Sequence, residues 1–156
     1  MAFGTAGFSA MMAVDALEEH GLIPSDNEIL VTGAVGGVGS IAVALLSTLG
    51  YNVAASTGRP AEHEYLRYLG STTIIDRSEL EGPASRPLET ERWGGCIDNV
   101  GGSTIARVLS QLRRGSSIAS VGLAAGSSFT ANVMPFLLRG VNILGIDSVS
   151  LDIGKR

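Results

Sequence analysis

Val31-Thr32-Gly33-Ala34-Val35-Gly36-Gly37-Val38-Gly39-Ser40 is the stretch that decides the fold. It follows the apolar run Ile29-Leu30-Val31 and opens into Ile41, Ala42, Val43, Leu45 and Leu46 at helical spacing. A strand, a glycine turn and a helix in that order make a phosphate-binding element. Glycines let the backbone turn sharply and approach a pyrophosphate, and the helix N-terminus offers unpaired N–H groups and a positive dipole end. In this setting the motif predicts a dinucleotide site, with Gly36, Gly37, Val38 and Gly39 at the pyrophosphate.

Outward from the turn, strand and helix patterns alternate. Phe8, Met11, Met12, Ala13, Ala16 and Leu17 fall at helical spacing, and Gly21 supplies a stop. Strands are predicted at Glu28 to Thr32, Asn52 to Ala55, Thr73 to Ile75, Gly95 to Asn99, Ser117 to Leu123 and Val141 to Ser148. Helices are predicted at Val38 to Leu49, around Ala61 to Leu69, near Ser103 to Leu112 and over Val133 to Leu138. Arg77 to Arg92 is less regular, and Pro83 and Pro87 break any long helix there. Six strands with helical crossovers predict an α/β fold: a doubly wound, parallel, six-stranded sheet of the Rossmann type. The ligand crevice is then expected at the carboxyl ends of the strands.

Composition narrows the function classes. The 156 residues suit one domain with a full core; 45% are hydrophobic and 17% charged, which argues against disorder. The net charge of −4 and the lack of a basic stripe argue against nucleic-acid binding. No apolar run is long enough to span a bilayer, so no membrane partner is expected. Cys96 is the sole cysteine; with only His20 and His63 added, no clustered metal-ligand set exists, and no metal is expected. A reducing, cytoplasmic setting fits this usage.

The end of the second strand bears on the choice of cofactor. An acidic residue about 20 positions beyond the glycine turn would bond a free ribose 2′-hydroxyl. The chain instead reads Val53-Ala54-Ala55-Ser56-Thr57-Gly58-Arg59, and the nearest carboxylates in sequence, Glu62 and Glu64, come later. Ser56 and Thr57 can donate to a 2′-phosphate and Arg59 adds charge in a two-pronged geometry, so NADP(H) is expected over NAD(H). Asp98-Asn99-Val100-Gly101-Gly102 and Val121-Gly122-Leu123 should form turns along the crevice, with Asp98 open to a second role as a cap.

The glycine letters satisfy two patterns. Read as Thr32-Gly33-x-x-x-Gly37-x-Gly39, they resemble short-chain dehydrogenases, which need a Tyr-x-x-x-Lys pair; the only lysine is Lys155 and position 151 is Leu, so that pair is absent. Read as Ala34-Val35-Gly36-Gly37-Val38-Gly39-Ser40, they resemble the medium-chain dehydrogenase/reductase superfamily, quinone-reductase branch. Gly4-Thr5-Ala6-Gly7-Phe8-Ser9-Ala10, Ser56-Thr57-Gly58-Arg59, His63-Glu64-Tyr65-Leu66, Leu69-Gly70, Arg86-Pro87-Leu88, Ile97-Asp98-Asn99-Val100-Gly101, Met134-Pro135-Phe136 and Gly145-Ile146-Asp147-Ser148-Val149 extend the likeness over nearly the whole chain. Together they are similar to the zinc-independent acryloyl-CoA reductase subgroup.

That resemblance implies a two-domain reductase of which residues 1–156 are the NADP(H)-binding Rossmann domain, the catalytic barrel domain being absent. It implies NADPH-dependent reduction of an activated C=C bond, acryloyl-CoA to propanoyl-CoA, with a small-molecule or acyl-CoA substrate in the full-length enzyme. Ala34, Asn99 and Gly122 fall in the cofactor motifs, and Thr5, Val100, Leu123 and Ser148 are candidates near the nicotinamide. No proton donor can be assigned. A homodimer across the sixth-strand edge is also implied. Quinone or alkenal reduction by the same hydride step, and a non-enzymatic NADP(H)-binding sensor, are the alternatives.

Overall fold

A computed structural model of the chain describes residues 4–150; Lys155 and Leu151, the positions that weigh against a short-chain enzyme, lie outside them. Helix α1 (Gly4–Glu19) leads into strand β1 (Glu28–Val31), followed by α2 (Gly37–Thr48), β2 (Asn52–Thr57), α3 (His63–Tyr68) and β3 (Thr73–Asp76). The second half runs β4 (Trp93–Asp98), α4 (Gly102–Gln111), β5 (Ser117–Ser120), α5 (Met134–Arg139) and β6 (Asn142–Gly145). All strand pairs are parallel, in the order β3-β2-β1-β4-β5-β6. This is the doubly wound arrangement the alternating pattern predicts.

Both faces of the sheet are covered, so successive residues of one strand enter opposite cores. Ile29 and Val31 of β1, Val53 and Ala55 of β2, Ile97 of β4 and Ala119 of β5 pack with Ala13, Leu17, Val43, Leu46 and Leu66 of α1, α2 and α3. The residues between them, Leu30, Ala54, Cys96 and Ile118, pack with Ile105, Val108 and Leu109 of α4 and with Leu80, Trp93 and Val141. This is why β1 reads as an unbroken apolar run rather than an alternating one.

Two strands are shorter than their apolar patterns suggest. Beyond Ser120 the chain leaves β6 and folds across the end of β4, where Val121 and Gly122 donate to the Asp98 carbonyl at 2.8 and 3.2 Å. After β6, the carboxylate of Asp147 accepts from the amides of Val149 and Ser150, each at 3.0 Å, and closes a turn. Helix α1, conversely, extends back to Gly4, beyond the start of the predicted helical spacing. The irregular segment after β3 opens with a single 3₁₀ turn, Arg77–Leu80, whose Ser78 amide donates to the Asp76 carboxylate.

Candidate cofactor site

The sheet order reverses between β1 and β4, so the turns leaving them diverge to opposite faces and open a crevice at their carboxyl ends. The β1 turn is held in three ways. Gly33 takes a positive φ of 57°. The Gly36 amide donates back to the Gly33 carbonyl at 3.0 Å, and the Ala34 amide donates to the Ser56 carbonyl at 3.2 Å. Gly36 caps α2 with extended backbone, no side chain caps the helix, and no acid stands in its first turn. The amides of that first turn therefore keep their capacity for an anion.

Opposite, the β4 turn is built around one buried carboxylate. Asp98 accepts from the Thr32 hydroxyl at 2.6 Å, the Gly101 amide at 2.8 Å and the Val100 amide at 3.3 Å. Burial pushes the Asp98 carboxyl up, and those three donors pull against it. Asn99 completes the seam: its side-chain amide donates to the Thr32 carbonyl at 2.8 Å and its backbone amide to the Thr32 hydroxyl at 3.0 Å. Asp98 thus ties β1 to β4 and orders the turn before α4.

Between these turns lies a cleft of about 540 Å³ that brings Gly36, Ser56, Thr57, Arg59, Asn99 and Val100 together. Ser56 is buried and its hydroxyl makes no hydrogen bond among the described residues; Thr57 accepts from the Arg59 amide at 3.1 Å. Arg59 makes no ion pair among the described residues. A larger cavity, about 760 Å³, lies between Pro83–Pro87, α4 and residues 128–132, away from the glycine turn.

The other predicted residues occupy different places. Ala34 is buried in the turn itself, and Gly39 is buried in the first turn of α2. A Cβ on Gly39 would collide with the Gly33 carbonyl and the Ala34 Cα, so Gly39 lets α2 pack directly on its own turn. Gly37 and Val38 stand in the first turn of α2, outside the lining of the cleft. Gly122 and Leu123 line a separate, smaller hollow of about 220 Å³ with Gly101 and Gly102. Thr5 and Ser148 meet through Ser9, whose hydroxyl donates to the Thr5 carbonyl at 2.9 Å and lies 2.8 Å from the Ser148 hydroxyl. Ala6 of the same helix approaches Gly37.

Sequence reasoning misses Thr32, Arg77, Glu81, Ser103 and Thr104, all of which line the cleft. Arg77 and Glu81 are distant from Ser56 in sequence, but β3 pairs with β2 so that Asp76 stands beside Thr57. The signal was the position immediately after β3, on the strand next to the β2 terminus. Among the tyrosines, Tyr51 donates to Glu18 of α1 at 2.7 Å. Burial, then that bond and the Glu18 charge, push it up to about 12. Tyr65 and Tyr68 are exposed on α3.

The zinc-binding dehydrogenase family matches residues 37–154. The chain belongs to that family. Among the described residues, no group of three or more His, Cys, Asp or Glu side chains could hold a metal ion. An acrylyl-CoA reductase, AcuI, from Ruegeria pomeroyi is 60% identical over 149 residues, covering 96% of this chain and 45% of that protein. The YhdH oxidoreductase of Salmonella enterica, solved in complex with NADP, superposes with a TM-score of 0.95 at 50% identity, covering 99% of this chain and 47% of that one. Bacillus subtilis YhfP, solved with NAD bound, superposes equally well, with a TM-score of 0.95 at 44% identity over 99% of this chain and 47% of that one. The chain therefore spans about half the length of the relatives it matches. The kinship expected with acryloyl-CoA reductases and quinone oxidoreductases is met, since AcuI carries the first name and YhfP, 46% identical over 149 residues, carries the second.

Proposed function

We propose that this chain is the NADP(H)-binding half of a two-domain, zinc-independent reductase that reduces an activated C=C bond, acryloyl-CoA to propanoyl-CoA. The observation that carries this reading is the β2 terminus. A buried serine whose hydroxyl has no hydrogen bond among the described residues, a threonine and an arginine with no ion pair among them border the same cleft as the uncapped start of α2. A dinucleotide carrying a 2′-phosphate fits that set, since Ser56, Thr57 and Arg59 offer donors and a cation, and the carboxylate that lines the cleft, Glu81, is paired with Arg77. The names of the relatives, an acrylyl-CoA reductase and an oxidoreductase holding NADP, support the same assignment.

Bound there, NADPH supplies the hydride for the β-carbon of an α,β-unsaturated thioester. The chain's own residues bind and orient. The amides of Gly37, Val38 and Gly39 face the pyrophosphate, and Ser56, Thr57 and Arg59 hold the 2′-phosphate. Asn99 and Gly122 would border the cofactor along the crevice, and Thr5, Val100, Leu123 and Ser148 would stand toward the nicotinamide. No tyrosine of the described chain is placed to deliver the proton, so that step and the acyl-CoA pocket belong to the other half of the enzyme. The setting is cytoplasmic. No described helix is long and apolar enough to cross a membrane.

The outer edge of β6 pairs with no strand among the described residues, and Leu137, Leu138 and Val149 are exposed near it. A homodimer joined across this edge would cover them. Sedimentation showing only monomer at high concentration would exclude it.

Titration with NADPH and NADH side by side tests the cofactor reading. NADPH should bind tighter, and Arg59→Ala should cost NADPH about tenfold, the worth of one charge-assisted contact. Equal affinities, or tighter NADH, would overturn it. Steady-state assay of the longer protein with acryloyl-CoA, a quinone and an alkenal tests the substrate; the 156-residue chain alone should turn over none.

A further inference from the structure

The phosphate end of the cleft contains an ion pair that the proposed chemistry leaves unused. Arg77 opens the 3₁₀ turn directly after β3. Its guanidinium lies against Gly58: a Cβ built there would stand 2.6 Å from Arg77 Nε, 2.9 Å from Cδ and 3.0 Å from Cζ. Any side chain at position 58 would need the volume that the arginine occupies. Arg77 Nε also sits 3.3 Å from Glu81 Oε1, with the two side chains 71% and 59% exposed. Both residues border the cleft together with Ser56, Thr57, Gly58 and Arg59. The cleft therefore has two arginines at its β2 end, one without an ion-pair partner among the described residues and one held by a carboxylate.

We propose that Arg77 and Glu81 form a counter-ion gate over the phosphate end of the cofactor cleft. Glu81 holds Arg77 at rest; a ribose 2′-phosphate takes Arg77 from it and is then clamped between Arg77 and Arg59. This rests on the reading of the cleft as an NADP(H) site. The exchange is favourable because an exposed, single-contact arginine–carboxylate pair is only weakly held. A dianionic phosphate between two guanidinium groups receives several charge-assisted bonds. A dinucleotide without the phosphate cannot displace Glu81, so Arg77 stays paired and contributes nothing to its affinity. Gly58 leaves the space the arginine needs to lie over the turn.

Titration of NADPH and NADH against the wild-type chain and three variants tests the gate, with a thermal melt to confirm folding of each. Arg77→Ala should weaken NADPH about tenfold and leave NADH within about twofold. Gly58→Ala, whose added methyl meets only the movable end of Arg77, should weaken NADPH in the same sense by about fivefold. Glu81→Gln, which removes the competing carboxylate, should tighten NADPH by about threefold with NADH unchanged. If Arg77→Ala weakens both cofactors equally, or Glu81→Gln leaves NADPH unchanged or weaker, the gate is refuted. If the wild-type chain shows no preference for NADPH, the NADP(H) reading fails and the gate falls with it. If the preference is present but survives all three substitutions, only the gate fails.

Discussion

Two polar regions border α4 and are satisfied to different degrees. On the cleft side, among the described residues, the Ser56 hydroxyl has no hydrogen bond, Arg59 has no ion pair and no side chain caps the first turn of α2, although Arg77 is paired with Glu81. On the other side, Glu89 is buried and fully engaged. One carboxylate oxygen accepts from the amide and hydroxyl of Ser85, each at 2.9 Å; the other accepts from Gln111 at 2.7 Å and Arg107 at 3.0 Å. Gln111 in turn accepts from the indole of the buried Trp93 at 2.8 Å, and Arg139 donates to the Glu89 carbonyl at 2.6 Å. Burial alone would raise the Glu89 carboxyl, but these donors outweigh it and hold it at about 2. Polar groups that hold a fold together find their partners within the chain; groups left with bonds in reserve are free to take a ligand. The contrast separates the two roles better than burial does, because Ser56 and Glu89 are both buried.

Substitutions that confuse the two regions would break this distinction. The largest effect is expected from Gly39→Val. Its side chain meets backbone rather than a movable side chain, so α2 must shift off the turn, at a cost of roughly 3 kcal/mol. NADPH titration should show roughly a hundredfold loss, because the displaced helix start no longer presents its amides beside the turn; near-normal binding would mean the helix start does not hold the cofactor. Glu89→Ala should instead cost about 3 kcal/mol of unfolding free energy in urea, by stripping Arg107 and Gln111 of their acceptor. Where the variant is folded, its NADPH to NADH affinity ratio should be unchanged; a changed ratio would mean the two regions are coupled.

The Glu89 carboxyl also sets an acid limit. Its folded value, about 2, lies below the ordinary 4.5, so its contribution is complete above about pH 4.5 and is lost as the pH falls toward 2. Melting curves over that window should show less acid sensitivity in Glu89→Gln than in wild type, and identical slopes would count against the network. The smallest effect is expected from Trp93→Phe. It keeps most of the packing but leaves the Gln111 carbonyl without its donor, at about 1 kcal/mol in the same urea experiment.

Much of the fold was legible in the sequence because the repeating signals are local. The helical spacing of α2, the glycine turn and the apolar β1 depend on neighbours a few residues away. The ends of β5 and β6 were not legible, since Val121 and Ser148 continue the apolar or small-residue pattern while their partners, the Asp98 carbonyl and Ser9, lie far along the chain. The Glu89 knot was equally hidden: residues 77–92 have no period, and their order comes from contacts with α4 and α5.

The sequence by itself determined the doubly wound order, the glycine turn at the carboxyl end of β1 and the lack of an acid at the end of β2. Each follows from residue type and short-range spacing. Only the tertiary structure decided that Arg77 and Glu81 stand at the same cleft as Ser56, that Gly39 serves packing, and that Asp98 ties two strands together. Those facts arise because sheet pairing sets β3 beside β2 and β4 beside β1, bringing together groups that no local periodicity relates.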